Sequence, residues 1–65
     1  MPEGYYAEVS RLLREAGYRY ETNAKGSHEK WRDEETRRLV LVPRNLKSRH
    51  TANAILRSAG IDLKL

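Results

Sequence analysis

Apolar residues near the start of the chain recur at helical spacing. Tyr6, Val9, Leu12, Leu13 and Ala16 share one face, and Glu8, Arg11, Arg14 and Glu15 fill the other. The spacing predicts a helix over residues 4–16, after a short lead-in in which Pro2 is suited to a helix start. Gly17 closes the helix, because glycine enters the left-handed C′ conformation without a Cβ clash. The period then changes to two. Tyr18, Tyr20 and Thr22 alternate with Arg19, Glu21 and Asn23, which reads as a strand. Asn23-Ala24-Lys25-Gly26 reads as a turn, and a second strand follows from Ser27 to Arg32. Asp33-Glu34-Glu35-Thr36 is a polar turn, and Arg37 to Val42 is a third strand. Its Leu39-Val40-Leu41-Val42 run predicts burial on both sides, and Pro43 ends it.

Pro43 to Arg49 is a basic loop carrying Arg44, Lys47 and Arg49. Ser48 is the expected N-cap of a last helix over residues 49–59, with Ala52, Ile55, Leu56 and Ala59 as its apolar stripe. Gly60 takes the C′ position. The tail Ile61-Asp62-Leu63-Lys64-Leu65 alternates, which suits either a short docked strand or a cover over the core.

The predicted order is αβββα, an α+β domain. Two apolar helix stripes need one apolar surface, and a three-stranded antiparallel meander supplies it on one face. The other sheet face is left open. Side chains alternate along a strand, so a core-facing Trp31 places Glu29 and Ser27 on its side. His28, Lys30 and Arg32 then share the open face, with Lys25 on the turn just before them. Tyr18 and Tyr20 belong with the core, and His50 at the start of the last helix carries no assigned role.

Composition narrows the chemistry. Sixty-five residues make one small domain, which buries only about 60% of its unfolded surface. A deep pocket or large cofactor is not expected, and no cofactor is assigned. Without cysteine there are no disulfides or thiolate metal sites, and two histidines alone do not complete a zinc site. No apolar run approaches the ~20 residues of a membrane span, and no signal-peptide pattern opens the chain. The expectation is a soluble cytoplasmic protein. Thirteen Lys and Arg against nine Asp and Glu give a net charge of +4. That excess favours a phosphate backbone or an acidic protein as partner.

His28 is the residue with chemical promise. An imidazole exchanges protons near neutral pH. Neighbouring cations attract RNA and stabilise the charge that builds on a phosphorane. RNA carries its own nucleophile, the 2′-hydroxyl, so a base, a proton donor and cations suffice without a metal.

Four stretches in order resemble the HicA (YcfA-like) family of toxins. They are Leu12-Leu13-Arg14-Glu15-Ala16-Gly17-Tyr18, the signature Lys25-Gly26-Ser27-His28, the strand end Val40-Leu41-Val42-Pro43, and the closing helix Thr51 to Ile61. The resemblance covers nearly the whole chain. It implies a fold similar to double-stranded-RNA-binding domains. It implies a metal-independent endoribonuclease that cleaves mRNA, with His28 catalytic. It also implies a HicB-like antitoxin, with operator DNA bound only by the toxin–antitoxin complex. Lys25, Gly26, Ser27, Lys30 and Arg32 become the expected RNA contacts around His28, with Arg44, Lys47 and Arg49 added from the loop. Two departures stand out. Glu29 follows the histidine where many relatives carry an aromatic or aliphatic residue, and it either weakens phosphate binding or pairs with Lys25 or Arg19. The turn at Asp33 to Thr36 lacks the proline and glycine often found there. The competing readings are a non-catalytic RNA-binding module on the same basic face and a protein-interaction domain for an acidic partner.

Overall fold

The computed structural model describes residues 4–65. The first three residues of the expected lead-in, Pro2 among them, lie outside the described part. The elements are α1 (Tyr6–Glu15), β1 (Tyr18–Lys25), β2 (His28–Asp33), β3 (Leu39–Pro43) and α2 (Arg49–Ser58). The order is αβββα as predicted, and the sheet is antiparallel with β2 in the centre. Both helices bury their stripes on one sheet face, an α+β arrangement consistent with the double-stranded-RNA-binding-domain-like fold. The core joins Val9, Leu12 and Leu13 of α1 and Ala52, Ile55 and Leu56 of α2 to Tyr18, Trp31, Val40 and Val42 of the sheet.

Element ends differ from the sequence reading for local reasons. The first helix begins at Tyr6, not at residue 4. The Tyr5 N–H donates to the Leu46 carbonyl at 2.7 Å, which draws the entering chain toward the β3–α2 loop. Gly4 lies so close to the same carbonyl that a Cβ there would overlap it. Leu46 itself is a buried residue inside the basic loop. Ala16, placed on the apolar stripe by spacing, is exposed at the helix end.

The first turn comes later than predicted. β1 continues to Lys25, and irregularities between Tyr20 and Thr22 and between Asn23 and Lys25 absorb two extra residues. The link to β2 is Gly26-Ser27 alone. Gly26 has φ 57°, the positive value that a type II′ hairpin needs at its first central position.

The second turn also moves a boundary. Arg37 sits at φ 67°, in the left-handed region, so the chain cannot be extended there and β3 starts at Leu39 rather than Arg37. The Asp33 N–H donates to the Arg38 carbonyl and the Arg37 N–H to the Asp33 carbonyl, closing the turn. Burial of β3 on both sides is not found. Val40 and Val42 are buried, whereas Leu39 and Leu41 are 40% and 48% exposed on the open face. Pro43 is the last strand residue and pairs with His28, tolerable because β3 is an edge.

The last helix matches closely. The Ser48 side chain accepts from the Thr51 N–H at 3.2 Å, as an N-cap does. The tail covers the core rather than adding a strand. Ile61 and Leu65 pack against it, and the Leu65 N–H donates to Asn53 Oδ1 at 2.7 Å.

Candidate functional site

β2 fixes the site by alternation. Glu29 and Trp31 are buried among the helices, and His28 is exposed on the opposite face. Lys30 and Arg32 follow on that open face, half-buried by their strand neighbours. The register sets Lys25 directly across from His28, because the two irregularities of β1 bring the lysine back onto the open face. Thr22 and Leu41 flank Lys30, and Leu39 lies across from Arg32. The imidazole therefore stands at the hairpin end of a central strand, with one lysine beside it and another two residues along.

The cations of this face differ in how free they are. Ion pairs among the described residues engage Arg11, Arg32 and Arg44, and neither lysine. Arg32 Nε lies 3.2 Å from both Glu21 carboxylate oxygens, and its Nη1 donates to the Arg37 carbonyl at 3.0 Å. That guanidinium holds Glu21 below the usual carboxylate range. Arg32 thus supports the second turn, and Lys25 and Lys30 are the cations left to meet a ligand.

The loop residues separate. The Arg44 N–H donates to the Ser27 carbonyl at 2.9 Å, fastening the end of β3 to the hairpin link. Its side chain turns to the helix side, over the Tyr6 ring at 5.2 Å and 3.4 Å from Glu29. Lys47 and Arg49 are exposed around the start of α2, and the structure does not bring them onto the His28 face.

Glu29 takes neither expected partner. It is 3% exposed, and its Oε1 accepts from the Tyr6 hydroxyl at 2.8 Å and the Trp31 indole N–H at 2.9 Å. Its remaining contact is Arg44, not Lys25 or Arg19. The acid therefore does not oppose a phosphate at His28; it holds the back of the strand. Strand parity had already pointed it inward, and Tyr6 and Arg44 were the partners that spacing could not reveal.

Among the described residues no three His, Asp or Glu side chains are grouped to hold a metal ion, and no helix is long and apolar enough to cross a membrane. No curated protein and no solved structure matches the chain. A family model described as the HicA toxin of bacterial toxin–antitoxin systems matches residues 6–61, from the first turn of α1 to the residue after Gly60. With that match spanning both helices and the whole sheet, the chain belongs to the HicA family of RNase-type toxins, a family that implies a cognate antitoxin.

Proposed function

We propose that the chain is a single-domain, metal-independent endoribonuclease toxin that cleaves mRNA in the cytoplasm. The carrying observation is the exposed His28, paired across the hairpin with Lys25 and followed on the same face by Lys30. His28 accepts the proton of a ribose 2′-hydroxyl, whose oxygen attacks the adjacent phosphorus. Lys25 and Lys30 balance the charge on the phosphorane. The bond to the 5′-oxygen breaks, and that oxygen takes a proton from solvent at this exposed face. The products are a 2′,3′-cyclic phosphate and a 5′-hydroxyl. Gly26 and Ser27 let the RNA backbone approach the hairpin link, and Arg32 holds the strand beneath it.

The antitoxin is a HicB-like protein that covers this open face with an acidic surface. Among the described residues His28 stays exposed, so a partner that covers this face suffices to inhibit it. Complementary charge speeds the encounter, and the exposed Leu41 beside Lys30 and Leu39 beside Arg32 offer apolar area to hold it. Operator DNA is bound only by the complex. The test is digestion of an unstructured RNA in excess EDTA, with product ends read by mass spectrometry. Cyclic phosphate ends that persist on chelation support the mechanism. Activity that disappears with EDTA and returns with a divalent ion contradicts it, and RNA bound but never cut favours the non-catalytic module.

A further inference from the structure

A second group of cations lies along the helix side of the sheet and the outer edge of β1, away from His28. A cleft of about 570 Å³ opens between α1 and the outer edge of β1, within the ~300–1,000 Å³ range of small-ligand sites. Three guanidinium groups border it, those of Arg14, Arg19 and Arg44. Arg14 lies over the Trp31 ring at 5.3 Å and Arg44 over the Tyr6 ring at 5.2 Å. Arg19 leaves β1 across from Arg32 and reaches round the strand edge, where its Nη1 donates to the Arg14 and Tyr18 carbonyls at 3.1 and 2.7 Å. Each contact occupies part of a guanidinium and leaves further N–H donors for a ligand. The acid in the lining is Glu29, which is buried and already bonded. The cleft thus offers net positive charge.

It also offers an aromatic surface. Tyr20, expected in the core, does not join it: it is 50% exposed, and its ring meets Trp31 edge-on with centroids 6.2 Å apart. Its hydroxyl donates to Asn23 Oδ1 at 2.7 Å, which fixes the ring and leaves the Asn23 amide N–H groups to donate outward. A held aromatic face, several guanidinium groups and an amide donor are what a single nucleic-acid strand binds by stacking and phosphate contact.

We propose that this cleft holds nucleotides of single-stranded RNA that flank the one placed at His28. The inference rests on the endoribonuclease reading of that face. The two places meet at the end of the β1–β2 hairpin. Lys25 pairs with His28 on the open face, and Asn23 pairs with Glu29 on the helix side. Arg44 is tied through its backbone to Ser27, next to His28, and sends its side chain into the cleft. β1 is an edge strand, so an RNA strand leaving the imidazole can pass over it without crossing the sheet. A duplex is too stiff to turn about a strand edge, so the cleft selects single strands.

The probe is a labelled, unstructured oligouridylate of about a dozen nucleotides, near the span of small single-strand sites. Binding is measured across a salt series in a His28→Ala background, where the RNA stays whole. Arg14→Gln and Arg19→Gln should each weaken binding about fivefold and flatten the salt slope by about 0.7. Tyr20→Ala should weaken it about tenfold with the slope kept. Circular dichroism monitors folding. Should Arg14→Gln unfold the chain by uncovering Trp31, the exposed Arg19 and Tyr20 carry the test. Unchanged affinity and slope in these folded variants would overturn the inference, including where the same variants weaken antitoxin binding instead. With His28 intact, the variants should cut the dinucleotide UpU at the wild-type rate and lose kcat/KM on the longer RNA. Equal loss on both lengths would also overturn it. A wild-type protein that cuts neither substrate would sink the enzymatic reading, while the binding series still decides whether the cleft takes RNA.

Discussion

The Tyr6 hydroxyl donates to the buried Glu29 carboxyl at 2.8 Å, tying the first turn of α1 to the strand residue next to His28. The Trp31 indole donates to the same oxygen, so one acid joins the helix, the strand and, through Arg44, the loop. Glu29→Ala would leave the buried Trp31 indole and the partly buried Tyr6 hydroxyl without their acceptor. An unsatisfied buried group costs about 1–3 kcal/mol, so the variant should lose about 3 kcal/mol. A domain of this size has only ~3–5 kcal/mol to lose. Glu29→Gln keeps an acceptor and should fall by less than half as much. Urea unfolding of the two variants checks the ordering, and equal losses would contradict the bonding described.

Two phenols make stability fall at high pH. Tyr6 and Tyr18 are both raised above the ordinary tyrosine value, each chiefly by burial and Tyr6 next by its bond to Glu29. Ionisation is therefore harder in the folded chain than in the unfolded one. The resulting stability is complete below pH ~10 and is lost as pH climbs from there through the folded values. Urea midpoints between neutral pH and the alkaline limb should fall for the wild type. Tyr6→Phe and Tyr18→Phe should start lower, each having lost a hydrogen bond, and decline less. Parallel curves would contradict this assignment.

Arg37 is a non-glycine residue in the left-handed region. An L side chain there costs about 1–2 kcal/mol, against about 0.4–1 kcal/mol for the added freedom of an unfolded glycine. Arg37→Gly should therefore raise stability by about 0.5–1 kcal/mol. The Arg37 carbonyl that Arg32 uses stays in place. A lower urea midpoint would show that the arginine side chain contributes more than its strain.

Lys30 and Arg32 share a face but not a role. Lys30→Ala should flatten the salt dependence of RNA binding by roughly 0.7–1 unit, as one lost phosphate contact does. Arg32→Ala should change that slope less and lower stability, because Arg32 is spent on Glu21 and the Arg37 carbonyl. Equal slopes for Lys30→Ala and the wild type would remove its ammonium from the interface.

Periodicity sufficed for both helices, because the stripes Val9-Leu12-Leu13 and Ala52-Ile55-Leu56 are what the sheet covers. Parity from Trp31 alone placed His28, Lys30 and Arg32 correctly. Irregular backbone was not legible. The two irregularities in β1 carry no residue signature, yet they set Lys25 beside His28. A run of four apolar residues in β3 could not tell burial from an exposed apolar edge, and Leu39 and Leu41 proved to be the latter. Tertiary partners of charged residues were likewise hidden. Arg44 reads as an RNA contact from the basic loop, and the sequence does not show that packing against Tyr6 and Glu29 sends its side chain to the helix side. Leu46 reads as part of the basic loop, yet it is buried, with its carbonyl bonded to the Tyr5 N–H.

His28→Ala tests the central claim most directly. His28 is exposed, so its removal should leave the fold unchanged by circular dichroism and leave RNA affinity nearly intact. General base catalysis is worth ~10²–10⁴-fold, so cleavage of an unstructured RNA should fall by at least about a hundredfold, with toxicity lost alongside it. A folded His28→Ala protein that cuts RNA at the wild-type rate would contradict the account.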